Sequence, residues 1–184
     1  MTDINATYLA PFDRAKIFFL VGFMGSGKTH WGKIWADANQ FSFVDLDELI
    51  EKKAGKTVAD IFDSQGEGHF RVLEAEALRT CAKMKNTIIA CGGGTPCFNN
   101  NMRWMNDHGV TIYINCTSQE ILQRVLSEKE KRPLIKKINP AELLFFIEQK
   151  VKERELFYMR ATLTLQSNLL TENFFAGILA TSTT

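Results

Sequence analysis

Gly22-Phe23-Met24-Gly25-Ser26-Gly27-Lys28-Thr29 stands in the G-x-x-x-x-G-K-[ST] spacing of a phosphate-binding loop. Glycines let the chain turn tightly and bring N–H groups onto phosphate oxygens with no Cβ in the way. Gly25, Ser26 and Gly27 supply such groups, with His30 next to them on the nucleotide side. Lys28 can reach the outer phosphates, and the Thr29 hydroxyl can ligate magnesium. The following helix adds the positive end of its dipole. A glycine-rich turn with a surface lysine is the bland alternative. The context argues against it: a buried run precedes the loop, and Trp31, Ile34, Trp35 and Ala38 follow at helical spacing.

Two acids close the next apolar run. Residues 41–46 read as a second strand that runs into Asp45-Leu46-Asp47. In open α/β sheets, ligand groups gather at the carboxyl ends of strands. Alternate strand residues share a face, so extended geometry carried through this end points Asp45 and Asp47 the same way. Asp45 then supports magnesium or its water shell, and Asp47 accepts a substrate hydroxyl. The competing reading is a helix N-cap followed by a first-turn acid.

Arg71 and Glu74 lie one turn apart on a helix with the apolar stripe Phe70, Leu73, Ala77 and Cys81. A surface ion pair worth about 0.2–0.5 kcal/mol is the plain interpretation; an arginine held by Glu74 to grip a substrate anion is the sharper one. Gly92-Gly93-Gly94 follows a third strand. Three glycines in a row cost entropy and suit a place where a ligand or another backbone comes close, although a flexible turn also accounts for them. Residues 128–137 carry five basic residues in ten. Such a run can be a solvated loop. In a phosphoryl-transfer enzyme it can close over the nucleotide and bring a cation to the γ-phosphate. Arg132, before Pro133, is the candidate cation. Leu144, Ile147, Val151, Arg154 and Tyr158 recur at helical steps, and Arg154 stands where an apolar residue is expected. A charge facing a core needs a partner. An internal carboxylate, solvent reached along the stem, or a ligand carboxylate would each serve.

The elements that must position these groups alternate in type. Residues 15–21, 41–46, 87–90, 110–115 and 162–165 read as strands. Helices are expected after Gly27, over 49–54 before Gly55, and over 65–83 after a Thr57/Asp60 capping pair. Others are expected over 99–107, from a Thr117/Glu120 capping box to 126, from Asn139-Pro140 onward, and over 171–180. Residues 1–14 read as a poorly ordered arm. Five buried strands alternating with helices imply an α/β fold with a parallel sheet covered on both faces.

A chain of 184 residues suits one domain, here 15–184. With 22 basic and 21 acidic residues, no global field attracts nucleic acid or an anionic membrane, and neither is expected as a partner. No apolar run approaches a membrane span, and no signal-peptide pattern opens the chain; a cytoplasmic location is expected. The four cysteines form no C-x-x-C pair and read as reduced thiols.

The order of motifs resembles the shikimate kinase family over nearly the whole chain. Asp45-Leu46-Asp47-Glu48-Leu49-Ile50-Glu51 is similar to the family's D-x-D-x-x-I-E. Ala59-Asp60-Ile61-Phe62, followed by Gly66-Glu67-Gly68-His69-Phe70-Arg71-Val72-Leu73-Glu74, is similar to its A-D-I-F … G-E-x-x-F-R-x-x-E. The triple glycine, Arg132-Pro133-Leu134, and Arg154 ahead of Tyr158 complete the set. The resemblance implies a three-layer α/β/α P-loop kinase with strand order 2-3-1-4-5, a substrate-binding segment at about 47–83 and a mobile lid at about 128–139. It implies transfer of the ATP γ-phosphate to the 3-hydroxyl of shikimate, with Mg2+ as cofactor and a monomer as the working form.

Roles follow by matching positions. Asp47 would bind the shikimate hydroxyls, including the one phosphorylated. Arg71 and Arg154 would clamp its carboxylate, and Gly93 would pack against the ring. Glu74 would orient Arg71, and Phe62 and Phe70 would wall the pocket. Lys28 and Arg132 would stabilise the transferring phosphoryl group. Arg124 would stack on adenine, while Thr29 and Asp45 would serve magnesium. The departures are the arm at 1–14, Cys91 before the triple glycine and Thr95-Pro96-Cys97 after it. A gluconate kinase or nucleoside-monophosphate kinase would share the loop and lid without this pair of arginines. A nucleotide-binding module without catalysis would have no use for a second pocket.

Overall fold

The computed structural model describes residues 17–126 and 138–180. Five strands form one sheet: β1 (Ile17–Val21), β2 (Ser42–Asp45), β3 (Thr87–Ala90), β4 (Gly109–Asn115) and β5 (Leu163–Gln166). All pairings are parallel, and the order is β2-β3-β1-β4-β5, as expected. Every residue of β1 and β3 is buried. Neighbouring strand residues face opposite sides, so both faces must be covered. α1 (Lys28–Asn39) and α7 (Phe174–Ala180) cover one: Phe18 meets Phe175 edge-on at 4.8 Å, and Phe175 stacks on Trp35 at 5.8 Å. α4 (Asn101–His108) covers the other, where Phe19 meets Trp104 at 6.0 Å. Each such ring pair adds about 0.5–1.5 kcal/mol to simple burial.

Several boundaries differ from expectation for local reasons. α2 (Leu46–Ala54) begins at once after β2, because the Asp45 side chain accepts from Asp47 N at 3.0 Å and caps it. Extended geometry therefore stops at Asp45. The expectation that Asp45 and Asp47 share a strand face is corrected: one is the N-cap, the other sits in the first turn. α3 (Val58–Thr80) starts after Thr57, whose Oγ1 accepts from Asp60 N at 3.1 Å. Gly66, at φ 79° and ψ 170°, breaks its path, so the helix expected from residue 65 is the second half of a kinked element. α4 starts late because Asn99 and Asn100 hold left-handed φ values of 49° and 54°. α5 (Ser118–Leu126) carries the expected capping box, with Glu120 N on Thr117 Oγ1 at 3.2 Å and Thr117 N on Glu120 Oε2 at 2.8 Å. In α6 (Pro140–Tyr158), Asn139 caps Ala141 N at 3.1 Å, and the buried line runs through Leu143, Ile147 and Tyr158. Leu144 is only half-buried, one position off the expected stripe.

All four cysteines are free thiols, three of them buried. Among the described residues, no helix is long and apolar enough to cross a membrane. The arm at 1–14 and the basic segment 128–137 with Arg132 lie outside the described residues.

Candidate active site

The carboxyl ends of β1, β2 and β3 open into a cleft of about 850 Å³. The phosphate-binding loop forms one end. Gly25 and Gly27 hold φ of 75° and 94°, which any side chain would strain. Ser26 is fully buried under the loop, and Lys28 Nζ donates to Gly22 O and Phe23 O, both at 2.9 Å. Thr29 Oγ1 donates to Asp45 Oδ2 at 2.8 Å, joining the first turn of α1 to the end of β2. His30 and Arg124 also line the cleft. The Arg124 guanidinium reaches Gly25 O at 3.2 Å and Glu120 at 3.7 Å.

Asp47 follows Asp45 into the cleft, although the two share no strand face. Its Oδ1 is buried and has no hydrogen-bond partner. Burial, then the nearby Asp45 and Glu74 carboxylates, push its pKa up to about 7; Lys28 and Arg71 pull the other way. A carboxyl near neutrality can hold or release a proton at working pH.

Arg71 and Glu74 are not a surface pair. Arg71 is 6% exposed and Glu74 is 0% exposed. Arg71 Nη1 donates to Glu74 Oε2 at 2.8 Å, while Nε and Nη2 reach Glu67 Oε1 at 3.2 and 2.9 Å. Burial opposes the guanidinium charge, and these carboxylates outweigh it, so its pKa is raised. The ring faces of Phe98 and Phe70 lie 4.4 and 5.1 Å from its carbon. Phe62 packs against Phe70 at 4.7 Å, and both line the cleft.

The triple glycine is a matter of space. None of the three has a positive φ. A Cβ on Gly94 would strike the Arg71 guanidinium, and one on Gly93 would stand 3.1 Å from Met24 N. Tyr158, from the last turn of α6, donates to Gly93 O at 2.5 Å. One turn earlier Arg154 enters the same cleft. Its carbon lies 5.4 Å from the Phe23 ring, and its buried Nη1 has no hydrogen-bond partner.

Nearly every site residue expected from sequence is thus brought to one cleft; Arg132 is outside the described residues. The structure adds Glu67, Thr95, Phe98 and the Tyr158 hydroxyl to the residues around the cleft. Glu67 could have been found from its i,i+4 spacing to Arg71. Thr95 meets Glu74 across 21 residues, which no local spacing signals.

A parallel sheet of this order, with a phosphate-binding loop on its central strand and a second, arginine-lined end to the same cleft, defines a P-loop kinase. A family model described as shikimate kinase matches residues 24–182. The chain belongs to the shikimate kinase family. A shikimate kinase from Azobacteroides pseudotrichonymphae is 40% identical over 156 residues, or 84% of this chain and 92% of its own. The crystal structure of shikimate kinase from Bacteroides thetaiotaomicron is similar with a TM-score of 0.80 at 35% identity, over 91% of this chain and 94% of that one. Shikimate kinase from Acinetobacter baumannii in complex with shikimate gives 0.79 at 30% identity, over 90% and 91%.

Proposed function

We propose that this chain transfers the γ-phosphate of ATP to the 3-hydroxyl of shikimate, giving shikimate 3-phosphate and ADP on the route to chorismate and aromatic amino acids. Two unpaired buried atoms in one cleft carry this conclusion. Asp47 Oδ1 needs a donor and Arg154 Nη1 needs an acceptor. A small ligand with hydroxyl groups and a carboxylate satisfies both, and leaving either unpaired costs about 1–3 kcal/mol. Family membership and the shikimate-bound relative support the choice of ligand.

Arg71 and Arg154 grip the carboxylate, Glu74 orients Arg71, and Gly93 with Phe62 and Phe70 shapes the space for the ring. Backbone N–H groups of Gly25, Ser26 and Gly27 cradle the phosphates, with Thr29, His30 and Arg124 on the nucleotide side. Asp47 orients the 3-hydroxyl and takes its proton as that oxygen bonds to the γ-phosphorus and the bond to the ADP oxygen breaks. Lys28 neutralises charge on the transferring group. Arg132 is assigned the same task on sequence grounds alone, within a lid segment at about 128–139. The hydroxyl and carboxylate oxygens of Thr29 and Asp45, brought together at 2.8 Å, are hard donors of the kind magnesium takes and would hold it. Magnesium bound there would neutralise the outer phosphates. Near-balanced charge supports the lack of a nucleic-acid or anionic-membrane partner; a cytoplasmic location and a monomer are part of the proposal.

A coupled ADP-release assay with shikimate, gluconate, a nucleoside monophosphate or no acceptor tests this. Release that depends on shikimate alone is expected. Release driven by another acceptor, or by none, overturns it.

A further inference from the structure

The Glu74 carboxylate is fully buried and divided between two donors. Its Oε2 takes Arg71 Nη1 at 2.8 Å, and its Oε1 takes the Thr95 hydroxyl at 2.5 Å. Thr95 is itself 0% exposed and directly follows the triple glycine. Its backbone is pinned on both sides: Thr95 N donates to Gly92 O at 3.1 Å, and the buried Asn101 side chain donates to Thr95 O at 3.0 Å. The hydroxyl is therefore presented from a rigid turn.

The crowding around Gly92 shows why that hydroxyl matters. A Cβ there would lie 2.8 Å from Glu74 Oε1, 3.1 Å from Thr95 Oγ1 and 3.2 Å from Asp47 Oδ1. Two carboxylate oxygens thus face one small space, and Thr95 is the hydroxyl that serves one of them. Without it, Glu74 Oε1 is a buried charged oxygen beside another acid. Turning away from that position would draw Glu74 off Arg71.

We propose that Thr95 is a positioning residue of the carboxylate clamp: its hydroxyl fixes Glu74, and Glu74 in turn aims Arg71 at the acidic substrate. Thr95 touches neither substrate nor nucleotide in this role, which rests on the shikimate assignment above. Its effect belongs to the acid-binding end of the cleft and spares the phosphate loop.

The test measures KM for shikimate and for ATP separately, after shikimate-dependent turnover of the wild-type enzyme has been established. Absence of that turnover removes the functional assignment itself, whereas the variants address Thr95 alone. Thr95→Val keeps the shape and removes the donor; KM for shikimate should rise roughly ten-fold and KM for ATP stay within about two-fold. Thr95→Ser restores the donor and should return both to near wild type. Thr95→Cys, a weak donor of similar size, replaces the valine variant if that one does not fold, and should show the same selective rise. An unchanged shikimate KM, an equal loss for both substrates, or failure of serine to rescue overturns the proposal.

Discussion

Arg71 and Glu74 form a buried ion pair, with Nη1 on Oε2 at 2.8 Å and side chains only 8% and 0% exposed. Glu67 holds the same guanidinium at 2.9 Å but is 46% exposed. The two acids flank one arginine and differ in what their loss should do. Removing Glu74 takes away the buried partner and leaves Arg71 only the half-exposed Glu67, a loss whose ceiling is the cost of a fully stranded buried charge, about 3–5 kcal/mol. Removing an exposed partner costs about 0–1 kcal/mol. Denaturant melts of Glu74→Ala and Glu67→Ala should therefore separate widely; equal losses would contradict the burial argument.

Arg154 should matter to the acid and little to the nucleotide. Its unpaired Nη1 points to a charge-assisted bond worth about 1.5–3 kcal/mol. Arg154→Ala should weaken shikimate binding by roughly ten- to a hundred-fold in calorimetry, with ATP affinity nearly unchanged. Equal weakening of both would count against the clamp.

Asp47 sets a pH dependence of definite sign. Burial and neighbouring acids raise its pKa from 3.8 to about 7 in the folded protein. The folded state then binds the proton more tightly than the unfolded one, so this group's stabilising share is complete below pH 3.8 and lost as pH rises to about 7. Thermal melts of the ligand-free enzyme should show this decline, and Asp47→Asn should remove it. The proposed role of Asp47 as proton acceptor should also give kcat/KM a rising limb near pH 7. Near-normal turnover by Asp47→Asn would sink its role as a base.

Gly94→Ala places a methyl group against the Arg71 guanidinium, which Glu74 and Glu67 hold on two sides. Shikimate-dependent turnover should fall sharply while nucleotide binding, read by fluorescent-ATP titration, persists. By contrast, Gly55→Ala is strained by its φ of 65° but has open space around its Cβ. It should lower the melting temperature and leave KM for shikimate alone.

Local features were the ones visible in advance. The Thr57/Asp60 and Thr117/Glu120 caps are closed within three residues of sequence. The central strands β1, β3 and β4 announced themselves as apolar runs, because the middle of a parallel sheet between two helical layers is dry on both sides. The edge strands β2 and β5, also expected to be buried, are only partly so. Asp45 and Asp47 show where such reasoning fails. Period-two alternation holds only while the chain stays extended, and the Asp45 cap ends the strand one residue too soon.

What the sequence by itself determined is the nucleotide end of the cleft: the phosphate-binding loop spans eight consecutive residues, and its glycine positions follow from backbone sterics alone. What only the tertiary structure decided is that Arg71, Glu74 and Arg154, whose spacing leaves several readings open, meet at the other end of the same cleft. Arg71 and Glu74 have the spacing of a solvent pair, and only their burial under the turn after β3 gives Arg71 the fixed position that the proposed carboxylate clamp needs. Thr95 reaches Glu74 across 21 residues, and Tyr158 reaches Gly93 across 65. Contacts of that span depend on which strands lie side by side. That order is set by how the helices pack over the sheet, a property of the whole chain and of no short segment.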